Sequence, residues 1–134
     1  LKGADRVDRI LEIEGEPFFS DPWRVAEIFR NLVSNSIKYR RFDLDQSFVK
    51  VVARIDAQKA IIHFKDNGIG IEADKLPSIF SMFYRASTQS EGSGLGLYIV
   101  KNAVEKLGGQ IEVFSEPLVG TEFKIILPNQ SQTA

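Results

Sequence analysis

The order in which hydrophobic patterns follow one another constrains the fold of this chain more than any other feature. Alternating apolar residues predict strands, whereas apolar residues at three- and four-residue steps predict helices. The chain runs in the order strand, helix, strand, strand, short helix, helix, strand, strand. A doubly wound parallel sheet requires strict alternation of strand and helix, which is absent. The adjacent strand pairs predict a mixed sheet with its helices on one face.

The boundaries of these elements follow from turn and capping residues. The Asp21-Pro22 pair predicts the start of the first helix, with Asp21 as N-cap, and the pattern runs to about Tyr39. Gly108 and Gly109 are typical of a helix end and stop the later long helix. A short helix is expected at 74–80, and residues 7–13 read as a half-buried strand. The other strands are predicted at 49–55, 60–65, 111–114 and 121–127.

Composition excludes several classes of function. The 134 residues fit one domain, 1–134, with a polar tail at 129–134. Without cysteine and with His63 as the single histidine, thiolate metal or redox sites and zinc sites built on several imidazoles are excluded. A net charge of −1 argues against a nucleic-acid partner, and no apolar run is long enough to span a bilayer. The chain begins at Leu1, and we expect it to be a piece of a longer protein.

Two asparagines on the first helix call for a reason. Asn31 and Asn35 are four residues apart and therefore share one helix face, with Glu27 and Lys38 near the same line. Asparagine is a poor residue for a helix interior because its amide competes with the backbone for hydrogen bonds. Taken alone, the pair is typical of an ordinary solvated face.

A carboxylate lies at the end of a predicted strand. Counting by twos places Asp66 on the same face as Ile62 and Phe64, so it is expected to point toward the interior. Gly68 and Gly70 follow and permit close approach of a ligand or backbone. A buried carboxylate at a gap suits a ligand that donates hydrogen bonds, such as an exocyclic amine. Taken alone, the segment is typical of a polar turn.

Glycines also precede the last long helix. Gly92, Gly94 and Gly96 alternate before it, so free N–H groups and the positive helix end meet at an anion site. The spacing differs from the dinucleotide-binding fingerprint, and the chain has no Walker loop. A last segment, 120–123, places a glycine, a hydroxyl and an aromatic residue at a strand start and indicates little by itself.

Taken together and in this order, these segments resemble the catalytic, ATP-binding domain of sensor histidine kinases within the gyrase-like ATPase superfamily. The N box resembles 31–39, and the three G boxes resemble 66–70, 92–97 and 120–123; the F box resembles 79–85. The resemblance covers about residues 5–128. It implies an α/β (α+β) sandwich of the Bergerat type, in which a mixed, mostly antiparallel sheet of about five strands is covered on one face by about three helices.

The resemblance also implies roles in binding ATP and Mg²⁺. Asp66 would accept a hydrogen bond from the adenine amino group, with help from Thr121, and Asn35 would hold Mg²⁺. Asn31, near the phosphates and metal, Lys38, near the phosphates, and Arg85, at the γ-phosphate, are the candidate catalytic residues. The rest of the predicted nucleotide site comprises Tyr39, Gly68, Gly70, Ile71, Phe83, Gly92, Gly94, Leu95, Gly96 and Leu97. Residues 86–93 would form a lid.

One position bears on the reaction. Hydrolytic members of the superfamily carry a glutamate four residues before the metal-binding asparagine, where this chain has Asn31, and an amide cannot activate water as a base. The resemblance therefore implies transfer of the γ-phosphoryl group to a histidine on a separate dimerisation domain, in cis or in trans. The alternatives are a serine kinase or ATPase of the same fold, and a non-catalytic nucleotide-binding signalling module.

The resemblance extends to partners and location. It implies a response regulator receiver domain downstream, a cytoplasmic location, and no membrane contact by this domain, whereas the parent protein can be anchored. His63 lies within a strand and is expected to be a structural or surface residue, so the chain alone would bind ATP without phosphorylating itself. Ser36 stands where alanine is usual and Tyr98 where a small residue is frequent. We expect neither to affect a motif role.

Overall fold

In the described residues, a five-stranded mixed sheet is covered on one face by two α-helices. The computed structural model describes residues 7–44, 46–81 and 95–130. Along the chain the elements are β1 (Val7–Gly15), α1 (Pro22–Lys38), β2 (Ser47–Ile55), β3 (Lys59–Asp66), a single 3₁₀ turn (Leu76–Ser78), α2 (Gly96–Lys106), β4 (Gln110–Glu116) and β5 (Gly120–Pro128). The strand order is β1-β2-β3-β5-β4. Only the β1–β2 pair is parallel, which confirms the mixed, mostly antiparallel sheet.

The helix count differs from the sequence prediction in one respect. The short helix expected at 74–80 is only the 3₁₀ turn, so two α-helices, not three, cover the sheet within the described ranges. Pro77 within this turn cannot donate a backbone hydrogen bond, which favours a short turn over a regular helix. Ile79, just after the turn, is buried in the core and fixes the segment against the sheet.

The core lies between the helices and the inner face of the sheet. On α1, Ile28 and Leu32 face the sheet, and on α2 Val100 and Val104 do the same. The inner face alternates on β3 and β5, and Phe64 of β3 meets Phe29 of α1 edge to face, with ring centroids 4.8 Å apart. Apolar residues alternate along β3 and β5 and pack against the apolar stripes of the two helices. This alternation fixes the pairing register of the strands, because a shift of one residue would turn all of their buried side chains to the outer face.

Local signals at the helix ends agree with the sequence. Asp21 accepts hydrogen bonds from the backbone N–H groups of Trp23 and Arg24, and Pro22 occupies the first helical position. At the end of α2, Gly108 has φ +78° and its N–H donates to the Glu105 carbonyl, as a C-terminal cap requires. These caps fix where α1 begins and where α2 ends.

The first strand is more exposed than its alternation predicts. In β1 only Val7 is buried, and Leu11 and Ile13 are 64% and 60% exposed. The half-buried prediction is therefore wrong for most of this strand. The strand lies at the edge of the sheet, beside β2 alone, and of its residues only Val7 belongs to a core cluster, with Ile37 of α1 and Val49 of β2.

The predicted polar tail begins with two ordered residues. Asn129 accepts a hydrogen bond from the Phe19 N–H and donates to the Pro17 and Asp56 carbonyls, and the Gln130 N–H donates to the Phe19 carbonyl. These bonds tie the end of β5 to the loop between β1 and α1 and to the β2–β3 turn. No helix in the described ranges is both long and apolar enough to cross a membrane.

Candidate nucleotide site

The site is built around a buried carboxylate at one end of the sheet. Asp66 is the last residue of β3, lies on the inner face with Ile62 and Phe64, and is 9% exposed, as the strand periodicity predicts. Its Oδ1 accepts hydrogen bonds from the N–H groups of Gly68 (2.9 Å) and Thr121 (3.2 Å). Its Oδ2 accepts one from the Ser36 hydroxyl (3.1 Å). The carboxylate is therefore held in one orientation by three donors.

Burial and hydrogen bonding act in opposite directions on this group. Burial raises the pKa of the Asp66 carboxyl above its ordinary value of 3.8, because the charged form loses its hydration. The hydrogen bonds from Gly68, Ser36 and Thr121 each lower that pKa and together offset part of the rise. The balance leaves a carboxyl that binds its proton more tightly in the folded state than in the unfolded one.

This balance predicts a pH dependence of stability. Between pH 3.8 and the raised pKa, the folded chain binds more protons at Asp66 than the unfolded chain does. The contribution of Asp66 to the free energy of unfolding therefore falls as pH rises through this window and levels off above it. Asp66→Asn lacks the titration, so wild type should lose stability relative to this variant as pH rises. Urea unfolding of both proteins across the window measures the difference, and a constant difference would contradict the raised pKa.

Ser36 corrects a sequence prediction. It was expected to stand apart from the motif residues, yet its hydroxyl contacts the Asp66 carboxylate directly and lies 3.1 Å from the Leu32 carbonyl as well. Ser36 is 8% exposed and continues the stripe of Ile28 and Leu32 along α1. A polar residue in that core stripe was the signal available in the sequence.

A second serine was missed altogether. In the sheet register, Ser115 of β4 lies opposite Thr121 of β5, which lies opposite Asp66, so the three side chains form a row across the inner face. The Ser115 hydroxyl is 2.8 Å from Thr121 Oγ1, accepts from the Ile71 N–H (2.8 Å) and contacts the Gly120 carbonyl (3.0 Å). Ser115 thereby joins the first and third glycine segments. It follows Ile111 and Val113 on the strand's inner face, and this was the sequence signal for it.

The glycines beside Asp66 are required by the protein's own backbone. A Cβ on Gly68 would lie 2.6 Å from the Tyr39 carbonyl oxygen, and one on Gly120 would lie 2.0 Å from the Asp66 carbonyl oxygen. Gly70 has φ +74°, and its Cβ would also meet backbone, at Glu116. The sequence predicted that a ligand or backbone approaches Gly68 and Gly70 closely, and in the structure the backbone of neighbouring segments does so. This packing sets the position of the segment that follows Asp66.

Three loops form a connected frame around this end of the sheet. The Ile69 N–H donates to the Tyr39 carbonyl (2.9 Å), and the Leu118 N–H donates to the Ile69 carbonyl (2.7 Å). Arg41 closes the frame through its 2.6 Å hydrogen bond to the Leu118 carbonyl. Because each loop is held by the next, Asp66 lies in a preorganised setting.

The asparagine face of α1 meets the start of α2. Asn31 is half-buried, donates its Nδ2 to the Glu27 carbonyl (2.7 Å), and has its Oδ1 3.5 Å from where a Gly96 Cβ would be. Its amide oxygen therefore points toward the first residue of α2. Among the described residues no side chain caps the start of α2 at Leu95, and a helix N-terminus of this kind favours an anion. Asn35 and Lys38 lie further along α1, both half-buried.

The donor set fits a magnesium ion better than a transition metal. No group of three or more acidic, histidine or cysteine side chains is clustered in the described part of the chain. Mg²⁺ commonly takes one or two protein oxygens and fills its shell with phosphates and water. The amide oxygen of Asn35, on the same face of α1 as Asn31, is an oxygen of the type that Mg²⁺ binds.

Several predicted residues lie outside the described ranges. These are Phe83, Arg85, Gly92 and Gly94, together with the predicted lid at 86–93. Of the predicted F box, residues 79–81 are described: Ile79 and Phe80 pack with the core, and Phe80 meets Phe123 edge to face. The structure brings Asp66, Thr121, Gly68, Gly70 and Ile71 together at one end of the sheet, and it brings Asn31 to Gly96 at the start of α2.

Comparison with known proteins identifies the family. The family described as histidine kinase-, DNA gyrase B- and HSP90-like ATPase matches residues 20–131. The chain belongs to this family. Its match includes all of α1, β3, α2 and β5, and so every described segment of the candidate site.

Relatives and solved structures place this ATPase-family chain among sensor histidine kinases. It is 39% identical over 108 residues to the methanogenesis regulatory histidine kinase FilI of Methanothrix harundinacea. This alignment covers 81% of this chain and 12% of FilI. It is 37% identical over 131 residues to the autoinducer 2 sensor kinase/phosphatase LuxQ of Vibrio harveyi, covering 91% and 15%. The mycobacterial sensor histidine kinase MprB superposes with a TM-score of 0.80 at 26% identity, over 96% of this chain and 88% of that one.

The catalytic domain of histidine kinase ThkA superposes with a TM-score of 0.76 at 26% identity, over 92% of this chain and 80% of that one. The chain is thus an ATP-binding catalytic domain of the sensor histidine kinase type. It spans only 12–15% of the length of FilI and LuxQ.

Proposed function

We propose that this domain transfers the γ-phosphoryl group of Mg·ATP to a histidine on a separate dimerisation domain of a longer protein. The observation that carries the proposal is the buried Asp66 carboxylate, held in place by three donors at the same end of the fold as the loops that follow β3 and precede β5. A carboxylate acceptor fixed in a buried setting suits the amino group of adenine, and such a charge-assisted hydrogen bond contributes roughly 1.5–3 kcal/mol.

The phosphates would lie between α1 and α2. Asn31 Oδ1 faces Gly96, and the uncapped start of α2 offers N–H groups to phosphate oxygens. Asn35 would hold Mg²⁺, which supplies charge neutralisation on the phosphates when bound. Lys38 and Tyr39 follow at the end of α1, and Arg85 remains a predicted partner of the γ-phosphate. In phosphoryl transfer, positioning and charge stabilisation supply most of the catalysis.

The absence of a base at position 31 supports transfer over hydrolysis. Asn31 cannot accept a proton from water, and its Nδ2 is already engaged with the Glu27 carbonyl.

The acceptor histidine would lie elsewhere. His63 is on the sheet face away from the helices, 3.6 Å from Glu122, and is partly exposed. A two-component pathway with a downstream receiver domain, in the cytoplasm, follows from the same proposal.

The test combines the chain with the histidine-containing dimerisation segment of its full-length protein and γ-³²P-labelled ATP. We expect label on that segment that survives alkali and is lost in acid, as phosphohistidine is, little released phosphate, and no label on the chain alone. Acid-stable label would indicate a serine kinase, and rapid phosphate release without transfer would indicate an ATPase. Either result would contradict the proposal.

Alanine substitution at two glycines should separate an effect on ATP binding from an effect on stability. Gly96→Ala adds a methyl group whose contact in the protein is an ordinary 3.5 Å, so the fold should be retained or slightly stabilised, while phosphate approach to α2 is obstructed. Gly68→Ala would meet the Tyr39 carbonyl and should lower the unfolding temperature. Thermal unfolding and ATP titration separate the two. Unchanged ATP affinity in Gly96→Ala would place the phosphates elsewhere.

A further inference from the structure

The hydroxyl hydrogens around Asp66 can be assigned by counting donors and acceptors. A serine or threonine hydroxyl carries one hydrogen and two lone pairs. The Ser115 oxygen has three partners: the Ile71 N–H, the Gly120 carbonyl and the Thr121 hydroxyl. The first can only donate and the second can only accept. All three partners are satisfied at once when Ser115 gives its hydrogen to Gly120 and accepts from both Ile71 and Thr121.

This assignment fixes what Thr121 offers to a ligand. Its hydroxyl hydrogen is committed to Ser115, 2.8 Å away, so the Thr121 oxygen keeps only lone pairs for anything else. The opposite arrangement, in which Ser115 donates to Thr121, would take from the Gly120 carbonyl the hydrogen bond it now receives. Because Gly120 is buried, that arrangement is disfavoured.

The same count applies to Asp66. Both N–H donors, from Gly68 and Thr121, go to Oδ1, which leaves Oδ2 to the Ser36 hydroxyl and one further partner. Ser36 has two acceptors within 3.1 Å, the Leu32 carbonyl and Asp66 Oδ2, and an ionised carboxylate is the stronger acceptor. A hydrogen bond from Ser36 to Oδ2 stabilises the ionised carboxylate of Asp66. The ionised carboxylate has no hydrogen to donate, so it acts only as an acceptor.

We propose that Ser36 and Ser115 are positioning residues that make this end of the sheet an acceptor-only surface, and that they thereby select 6-amino over 6-oxo purine nucleotides. The inference rests on the proposed binding of ATP at Asp66. The amino group of adenine donates to such a surface. Opposite the C6 substituent, the 6-oxo group of hypoxanthine would place an acceptor against Asp66 Oδ2, which is unfavourable. Neither serine needs to touch the base, because each acts through Thr121 or Asp66.

The test compares ATP with inosine triphosphate, which carries a 6-oxo group in place of the 6-amino group and a hydrogen on N1. The affinity of each nucleotide is measured by calorimetry, with Mg²⁺, for wild type, Ser36→Ala and Ser115→Ala. We expect wild type to prefer ATP, and each variant to reduce the ratio of the two affinities roughly tenfold, about 1.4 kcal/mol. In Ser115→Ala the Thr121 hydroxyl is free to donate to the 6-oxo group. Ser36→Thr and Ser115→Thr keep the hydroxyl and should restore the ratio.

Ser34→Ala is the matched control. Ser34 lies on the same helix as Ser36, is half-buried, and makes no hydrogen bond with its side chain among the described residues, so it reports the change in helix propensity alone. Its ratio should equal that of wild type. A wild-type ratio in Ser36→Ala or Ser115→Ala overturns the assignment for that serine. Failure of wild type to bind ATP, or binding unaffected by Asp66→Asn, would instead reject the proposed function.

Discussion

Asp66→Asn should lower the affinity of the chain for ATP by tenfold or more while leaving the fold intact. The asparagine oxygen can accept the hydrogen bonds from Gly68 and Thr121, and its Nδ2 can donate to Ser36. The fold therefore keeps its contacts, but the site now presents an N–H to the adenine amino group. Loss of a charge-assisted bond of roughly 1.5–3 kcal/mol corresponds to about ten- to a hundredfold in affinity.

Calorimetric titration with ATP measures this loss, and Asp56→Asn is the matched control. Asp56 also accepts from two backbone N–H groups, those of Gln58 and Lys59, but in the β2–β3 turn. The same chemical change there should leave ATP affinity unchanged. Wild-type affinity in Asp66→Asn would show that the base binds elsewhere.

Asn35→Ala should remove the dependence of nucleotide binding on Mg²⁺ and, with it, phosphotransfer in the full-length protein. Asn35 lies one turn beyond Asn31, whose oxygen faces the start of α2, and its amide oxygen is the proposed protein ligand of the ion. Alanine offers no oxygen but is a good helix residue, so α1 should persist.

Nucleotide titrations with and without Mg²⁺ give the measurement. Asn102→Ala is a suitable control, because it removes a partly exposed asparagine from the middle of α2, six residues beyond its first residue, or about 9 Å along the axis. This control should keep the full effect of Mg²⁺. An Asn35→Ala protein that retained that effect would place the ion on other ligands.

Much of the fold was accessible from sequence because its signals are local. Caps such as Asp21-Pro22 and Gly108-Gly109, and the alternation that places Asp66 on the inner face, depend on neighbouring residues only. The exposure of Leu11 was not accessible, since it depends on β1 being at the edge of the sheet. Alternation reports which side chains share a face and does not report whether anything covers that face.

The parts of the site that sequence reasoning missed depend on contacts between distant residues. Ser36 and Asp66 are 30 positions apart, and Ser115 reaches Ile71 across 44. A resemblance that treats Ser36 as a harmless replacement for alanine overlooks a hydrogen bond that only tertiary structure reveals. The glycines show the same limit, because Gly68 and Gly120 make room for neighbouring backbone.

A crystal structure of the chain with a non-hydrolysable ATP analogue and Mg²⁺ tests the central claim most directly, through the distance from the adenine amino nitrogen to Asp66 Oδ2. We predict a hydrogen bond of about 2.7–3.2 Å, with Thr121 Oγ1 facing the same edge of the base and the phosphates at the start of α2. A base bound away from Asp66, or one that turns a ring edge without the amino group toward it, would contradict the account.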